Sequence, residues 1–159
     1  MDDKTFVRSW QFVTLRGEDL LTIFPVKVGV DFMTFMLFDS MKMPTTMKEA
    51  IVQPDLTVEL HTVPIPKPTS TQVLIKVVCA GCNPKDWKQP VFSKTSLNSG
   101  DDMAGIVESV GSDVLEFKIG DRVAAFHTMQ EPGGAYAEYG LAESWTTFHL
   151  PDNVSFEEV

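Results

Sequence analysis

Residues 100–123, GDDMAGIVESVGSDVLEFKIGDRV, constrain this chain more than any other stretch, because glycines cut it into pieces too short for long helices. Between Gly105 and Gly111 lies Ile106-Val107-Glu108-Ser109-Val110, whose apolar valines and outward glutamate predict a strand. Gly111-Ser112-Asp113 then predicts a turn, with glycine free to take a positive φ. A second turn is expected at Gly120-Asp121, and residues 123–126 begin another strand. The whole predicts a compact antiparallel β unit with tight turns.

Taken in order, the chain changes character near Met47. Residues 1–46 hold Phe6, Trp10, Phe12, Phe24, Phe32, Phe35 and Phe38, yet sustain neither a period of two nor one of 3.6. They read as an extension ahead of a domain that begins near Met43 or Met47, which gives two segments, 1–46 and 47–159. From Met47 strands are expected at 47–52 and 58–63, around a Gln53-Pro54-Asp55 turn, followed by an extended proline-rich connector at 64–68. Residues 71–79, TQVLIKVVC, are apolar at nearly every position and predict a strand buried on both faces. Asn83 suits a helix N-cap, Pro84 the first helical position and Asp86 the first turn. Pro90 limits that helix to about one turn, residues 86–89, with a loop over 89–99. Residues 131–134 predict a flexible loop, 135–141 and 145–150 the last strands. Ser155 and Glu158 have capping-box spacing.

The chain's 159 residues, 43% of them hydrophobic, suffice for one ordinary core. A formal charge of −9 argues against nucleic acid as a partner, since no basic stripe is present to neutralise phosphates. Two cysteines make no disulfide framework, and Met1-Asp2-Asp3 lacks the basic start of a secretory signal. The longest charge-free apolar runs, 20–26 and 32–38, fall far short of the ~18 residues of a membrane span. A cytoplasmic protein that neither spans a membrane nor binds nucleic acid is expected.

Several residues carry candidate chemistry, each beside a plainer role. Cys79-Ala80-Gly81-Cys82 has C-x-x-C spacing, and a following helix start lowers a thiol pKa, but Cys79 also continues a hydrophobic strand. His61, His127 and His149 are scattered without ligand spacing, so no metal site is expected. Asp101 and Asp102, as neighbours on an extended chain, point to opposite faces and favour a turn role over shared acid–base work. Gly133-Gly134 is too short for a phosphate cradle, and no G-x-G-x-x-G occurs. Trp87 and Lys88, an aromatic and a cation leaving a short helix, either line a ligand surface or serve as a packed ring and a solvated charge.

Gly81-Cys82-Asn83-Pro84-Lys85-Asp86-Trp87-Lys88, residues 100–107, Val110-Gly111, Gly120-Asp121-Arg122-Val123 and Gly134-Ala135-Tyr136-Ala137-Glu138-Tyr139 recur in one order. Together they resemble the N-terminal, GroES-like domain of medium-chain dehydrogenase/reductases. The likeness is to the zinc-independent quinone oxidoreductase and fungal trans-acting enoyl reductase branch, and it covers residues 47–159. The resemblance implies a mainly β fold, a partly open barrel of short strands with one or two short helices. It implies NADPH as the cofactor and an enone or enoyl thioester as substrate, in the fungal branch an acyl chain carried by a polyketide synthase in secondary metabolism. It also implies that Lys85, Asp86, Trp87 and Lys88 border the cofactor, Lys88 reaching a substrate carbonyl or cofactor phosphate. The zinc branch has a cysteine in place of Asn83 and Gly-His-Glu in place of Gly100-Asp101-Asp102, so no catalytic zinc is implied. The resemblance assigns no catalytic residue. The glycine-rich dinucleotide loop of the family is missing from these 159 residues, so the chain resembles a truncated enzyme from which hydride transfer is not expected alone. Two other readings remain open: a binding module that self-associates through an unpaired sheet edge, and a small thiol protein using Cys79 and Cys82.

Overall fold

The computed structural model describes residues 44–158. The chain divides between Lys42 and Met43, and every described residue belongs to the second unit. Residues 1–43 of the expected extension lie outside the described residues.

Strand β1 (Thr46–Val52) and strand β2 (Val58–Pro64) form an antiparallel hairpin. The turn between them passes through Leu56 in the left-handed region, φ 68°, and the Asp55 carboxylate accepts from the Thr57 N–H at 3.0 Å. The remaining strands are β3 (Gln72–Ala80), β4 (Asp102–Val110), β5 (Arg122–Phe126), β6 (Tyr139–Glu143) and β7 (Thr147–His149). They join in the order β6-β3-β4-β5-β7, all antiparallel, and the sheet curls into a half-barrel. The mainly β expectation is met, and β4 and β5 are antiparallel neighbours as residues 100–123 predicted, except that β4 starts at Asp102 and runs through Gly105 where a strand was expected only from Ile106.

Two apolar clusters hold the sheet. Val73, Ile75, Met103, Val107, Val123 and Ala125 meet on one side of the sheet with Val114 and Phe117. Met47, Leu74, Tyr139 and Leu141 form the second cluster. Because Leu74 points opposite to Val73 and Ile75, the first half of β3 is buried on both faces, as its composition predicted. The second half is not: Lys76 and Val78 are exposed, and a register shift at Val78 bulges the strand.

Several local expectations are corrected. Helix α1 (Pro84–Ser93) runs straight through Pro90 and replaces the first half of the predicted loop. Pro90 forfeits one helical hydrogen bond, a loss offset by complete burial of its ring. The helix ends at Lys94, in the left-handed region at φ 57°. Gly111 does not use a positive φ: a side chain there would run into the carbonyl oxygens of Thr69 and Ser70. Of the two predicted turn glycines it is Gly120, at φ 92° in open space, that uses the left-handed region. The strand expected over 135–141 begins only at Tyr139, because residues 135–138 bond sideways to β1 and to the loop before β4. In place of one strand over 145–150, a 3₁₀ turn (Ser144–Thr146) precedes β7. The loop expected to be flexible is packed at Gly133 and Gly134, both buried.

Candidate functional site

A groove of about 630 Å³ opens where the ends of β3 and β5 meet the start of β4. Its floor follows from sheet register. Cys79, Ala104, Ala124 and Phe148 are direct neighbours in one row across β3, β4, β5 and β7. Met103 and Ala125 flank that row and point the other way, into the core. The floor is therefore deep, since its two central positions are alanine, and it rises to aromatic walls at Phe126 and Phe148. Arg122 braces the segment beyond β7 that lies along the groove. Its guanidinium donates to the carbonyls of Pro151 and Val154, at 2.9 and 2.6 Å, and lies 4.5 Å from the Phe156 ring centre. Phe156 and Glu157 of a 3₁₀ turn (Phe156–Glu158) are thereby held against the groove. The predicted capping pair is present there: the Ser155 N–H donates to Glu158 at 2.8 Å, and this bond lowers the pKa of that carboxyl.

The mouth of the groove is polar and carries Cys82, Asn83 and Asp102. The Asn83 side-chain amide donates to the Asp102 carboxylate, and the Asn83 N–H donates to Asp86 at 2.8 Å. Asn83 thus ties the first residue of β4 to the first turn of α1.

Behind the mouth lies a buried ionic cluster. Asp86 is 6% exposed and Asp101 2% exposed, an expensive place for two carboxylates. Lys85 neutralises both: its ammonium contacts Asp101, lies 2.9 Å from Asp86, and donates to the Ser99 carbonyl at 2.5 Å. Burial alone would depress the Lys85 pKa, but the two carboxylates outweigh it and hold it above the ordinary lysine value. The Tyr136 hydroxyl donates to Asp86 at 2.7 Å. Burial, the Asp86 carboxylate and Cys82 together raise the Tyr136 pKa, so it stays a neutral donor. Gly100 is required beside it, because a Cβ there would lie 2.8 Å from the Tyr136 ring.

The four residues expected to border a cofactor are consequently split. Lys85 and Asp86 meet each other, Asp101 and Tyr136 inside this cluster. Trp87 and Lys88 are not part of it: Trp87 is 52% exposed and the Lys88 ammonium sits 5.3 Å from its ring centre. The turn role expected of Asp101 and Asp102 is replaced by two separate attachments, Asp101 to Lys85 and Asp102 to Asn83. Cys79 and Cys82 both line the groove as free thiols. Burial and the Glu157 carboxylate raise the Cys79 pKa, the reverse of what a thiolate nucleophile needs. His127 is buried, with Nδ1 2.7 Å from the Leu141 carbonyl and Nε2 3.0 Å from that of Glu131. Among the described residues no three His, Cys, Asp or Glu side chains converge as a metal site would require.

Sequence reasoning did not single out Tyr136, Phe126, Phe148 or Phe156. The signal for the phenylalanines was weak but real. Phe126 falls on the outward parity of an otherwise small-residue strand, and Phe148 on the strand that pairs with it.

A family model for the alcohol dehydrogenase GroES-like domain matches residues 69–152. The chain belongs to that family, and with it to the medium-chain dehydrogenase/reductase superfamily. It is 49% identical over 124 residues to the trans-enoyl reductase fsr4 of Gibberella fujikuroi, covering 77% of this chain and 37% of that protein. It is 41% identical over 99 residues to the quinone oxidoreductase of Rattus norvegicus, covering 59% and 29%. The fold matches the quinone oxidoreductase from Coxiella burnetii with a TM-score of 0.62 and 29% identity, over 70% of this chain and 39% of that one. The chain thus spans 29–37% of the length of these two curated relatives. No described helix is long and apolar enough to cross a membrane.

Proposed function

We propose that this chain supplies the substrate-binding side of a zinc-independent, NADPH-dependent reductase of activated alkenes, with an enoyl thioester or enone lying in the groove. The observation that carries this reading is the groove itself: a small-residue floor beside aromatic walls, with the Asn83 amide and Asp102 at its mouth and Glu157 along its side. An acyl chain fits against Ala104, Ala124, Phe126 and Phe148, leaving a thioester carbonyl near the Asn83 amide. Kinship with trans-enoyl and quinone reductases supports the same chemistry, and a fungal relative of the first kind supports an acyl substrate presented by a polyketide synthase.

The donor set fits a nicotinamide cofactor at its border. Trp87 offers a ring face and Lys88 a cation for a phosphate, whereas Lys85 and Asp86 act one layer back by fixing α1. When bound, NADPH supplies the hydride that reduces the alkene. The donor chemistry at the mouth does not suit a catalytic metal: Asp101 is neutralised by Lys85, and Asp102 accepts from the Asn83 amide.

The test is substrate binding. A short enoyl-pantetheine thioester titrated into the full chain should perturb groove resonances in NMR spectra, and Ala124→Phe, which fills the floor, should abolish that response. Circular dichroism melts establish that the variant is folded, and Ala104→Leu provides a second block at the neighbouring position. Perturbations that survive in both folded variants, or none in the parent chain, overturn the reading.

A further inference from the structure

Strand β2 pairs with β1 without a bulge from Val58 to Pro64, and among the described residues nothing pairs with its other edge. It lacks the lysines, bulges and interior proline that usually keep such an edge from recruiting another strand. Which of its backbone groups are free can be read from β1. The Ala50 N–H donates to the Tyr136 carbonyl and the Val52 N–H to that of Leu97, both at 2.8 Å, while the Lys48 carbonyl accepts from Glu138 at 3.0 Å. Lys48, Ala50 and Val52 therefore face away from β2, and so their partners Thr62, Leu60 and Val58 face away from β1. Among the described residues, the N–H and C=O groups of β2 left without a backbone partner are those of Val58, Leu60 and Thr62.

We propose that β2 pairs with β2 of a second copy of this chain, antiparallel, about a two-fold axis through Leu60. In that register Leu60 meets Leu60 and Val58 meets Thr62, so every free backbone group on one strand faces a free group on the other. Glu59 then stands opposite His61 of the second copy, and His61 opposite its Glu59. Neighbouring registers of the same phase are poorer. An axis through Glu59 brings two carboxylates face to face, and one through His61 sets Pro64, which has no N–H, against Val58. Side-chain burial favours pairing as well. Val58 is 59% and Leu60 71% exposed, and Leu60 continues into an apolar surface with Val77, Val78 and Ala137.

Sedimentation equilibrium of the full 159-residue chain tests the pairing and should give a reversible monomer–dimer equilibrium. His61→Glu places glutamate opposite glutamate at two symmetric points and should weaken the dimer about tenfold or more. The double variant Glu59→Lys with His61→Glu restores opposite charges across the axis and should recover it. Within one chain His61 Nε2 lies 3.1 Å from Glu59, but both side chains are about half exposed, at 48% and 59%. Such a surface contact is worth up to about 1 kcal/mol, so each variant should stay folded with only a small shift in melting. Three outcomes overturn the proposal. One is a chain that stays monomeric throughout; another is a dimer indifferent to His61→Glu, as pairing through another face or through residues 1–43 would be. The third is a double variant no tighter than the single.

Discussion

Lys85 shows how one side chain can decide the geometry of a site without lying in it. It is flanked by two carboxylates that have almost no contact with water, and it keeps 27% of its own side chain exposed. Removing one partner from a buried ionic cluster costs about 3–5 kcal/mol, since the remaining charge is stranded. Lys85→Met should therefore destabilise the domain by about 3 kcal/mol in urea titrations, the low end because the lysine is partly solvated. Adding Asp101→Asn should recover part of that loss; a double variant weaker than Lys85→Met would refute the charge-stranding account. The same residue sets a pH dependence. A group whose folded pKa is raised stabilises the fold fully below its unfolded pKa, and that contribution is lost as pH climbs through the folded value. Lys85 is raised above 10.5 and Tyr136 above 10.0, so both act on the alkaline side. Stability should fall above about pH 10, and Lys85→Met combined with Tyr136→Phe should flatten that fall. A slope unchanged in the double variant would assign alkaline sensitivity to other groups.

At the scale of elements, close backbone approach explains what glycine patterning alone left ambiguous. Gly105 lies beside the bulge in β3, where a Cβ would be driven into the Lys76 carbonyl oxygen and within 2.9 Å of the Ile75 side chain. Gly105→Ala should force β3 and β4 apart and cost several times the ~1 kcal/mol expected for Gly120→Ala. Gly120 has open space and only its φ of 92° to defend. Thermal melts of the two variants rank them directly; equal losses would contradict the steric reading of Gly105. The sequence signalled both glycines equally, because composition registers a missing side chain but not its cause. Strands β1 to β5 were legible for a similar reason, their alternation and turn residues being local properties. What stayed hidden depended on distant partners. Pro90 reads as a helix stop until its burial is known, and residues 135–138 read as a strand until β1 claims their backbone. The site was legible in part. Asn83-Pro84-Lys85-Asp86 identified a helix start, but nothing local told Lys85, consumed by Asp101, from Lys88, which lies over Trp87. The groove floor needs the register of four strands, which no single strand carries.

For the whole molecule, charge and the cations left free for a phosphate bear on the cofactor together. NADPH is strongly anionic and the chain carries a formal charge of −9, so long-range repulsion opposes the encounter. Nothing in the sequence forms a G-x-G-x-x-G loop to receive the pyrophosphate, and Lys85 is already neutralised by carboxylates. Lys88 and Trp87 remain: an exposed ion pair supplies up to about 1 kcal/mol and an exposed ring contact about as much. Their sum falls short of the ~4 kcal/mol that even a millimolar complex requires. NADPH titrated into the full chain should therefore give no saturating change in tryptophan fluorescence or calorimetric heat below about 1 mM, while enoyl-pantetheine binding in the groove persists. Separating the two ligands is the informative part. Micromolar NADPH binding lost in Lys88→Ala would make the α1 surface a cofactor site in its own right. The groove would then be a complete reductase site, not the substrate half of one.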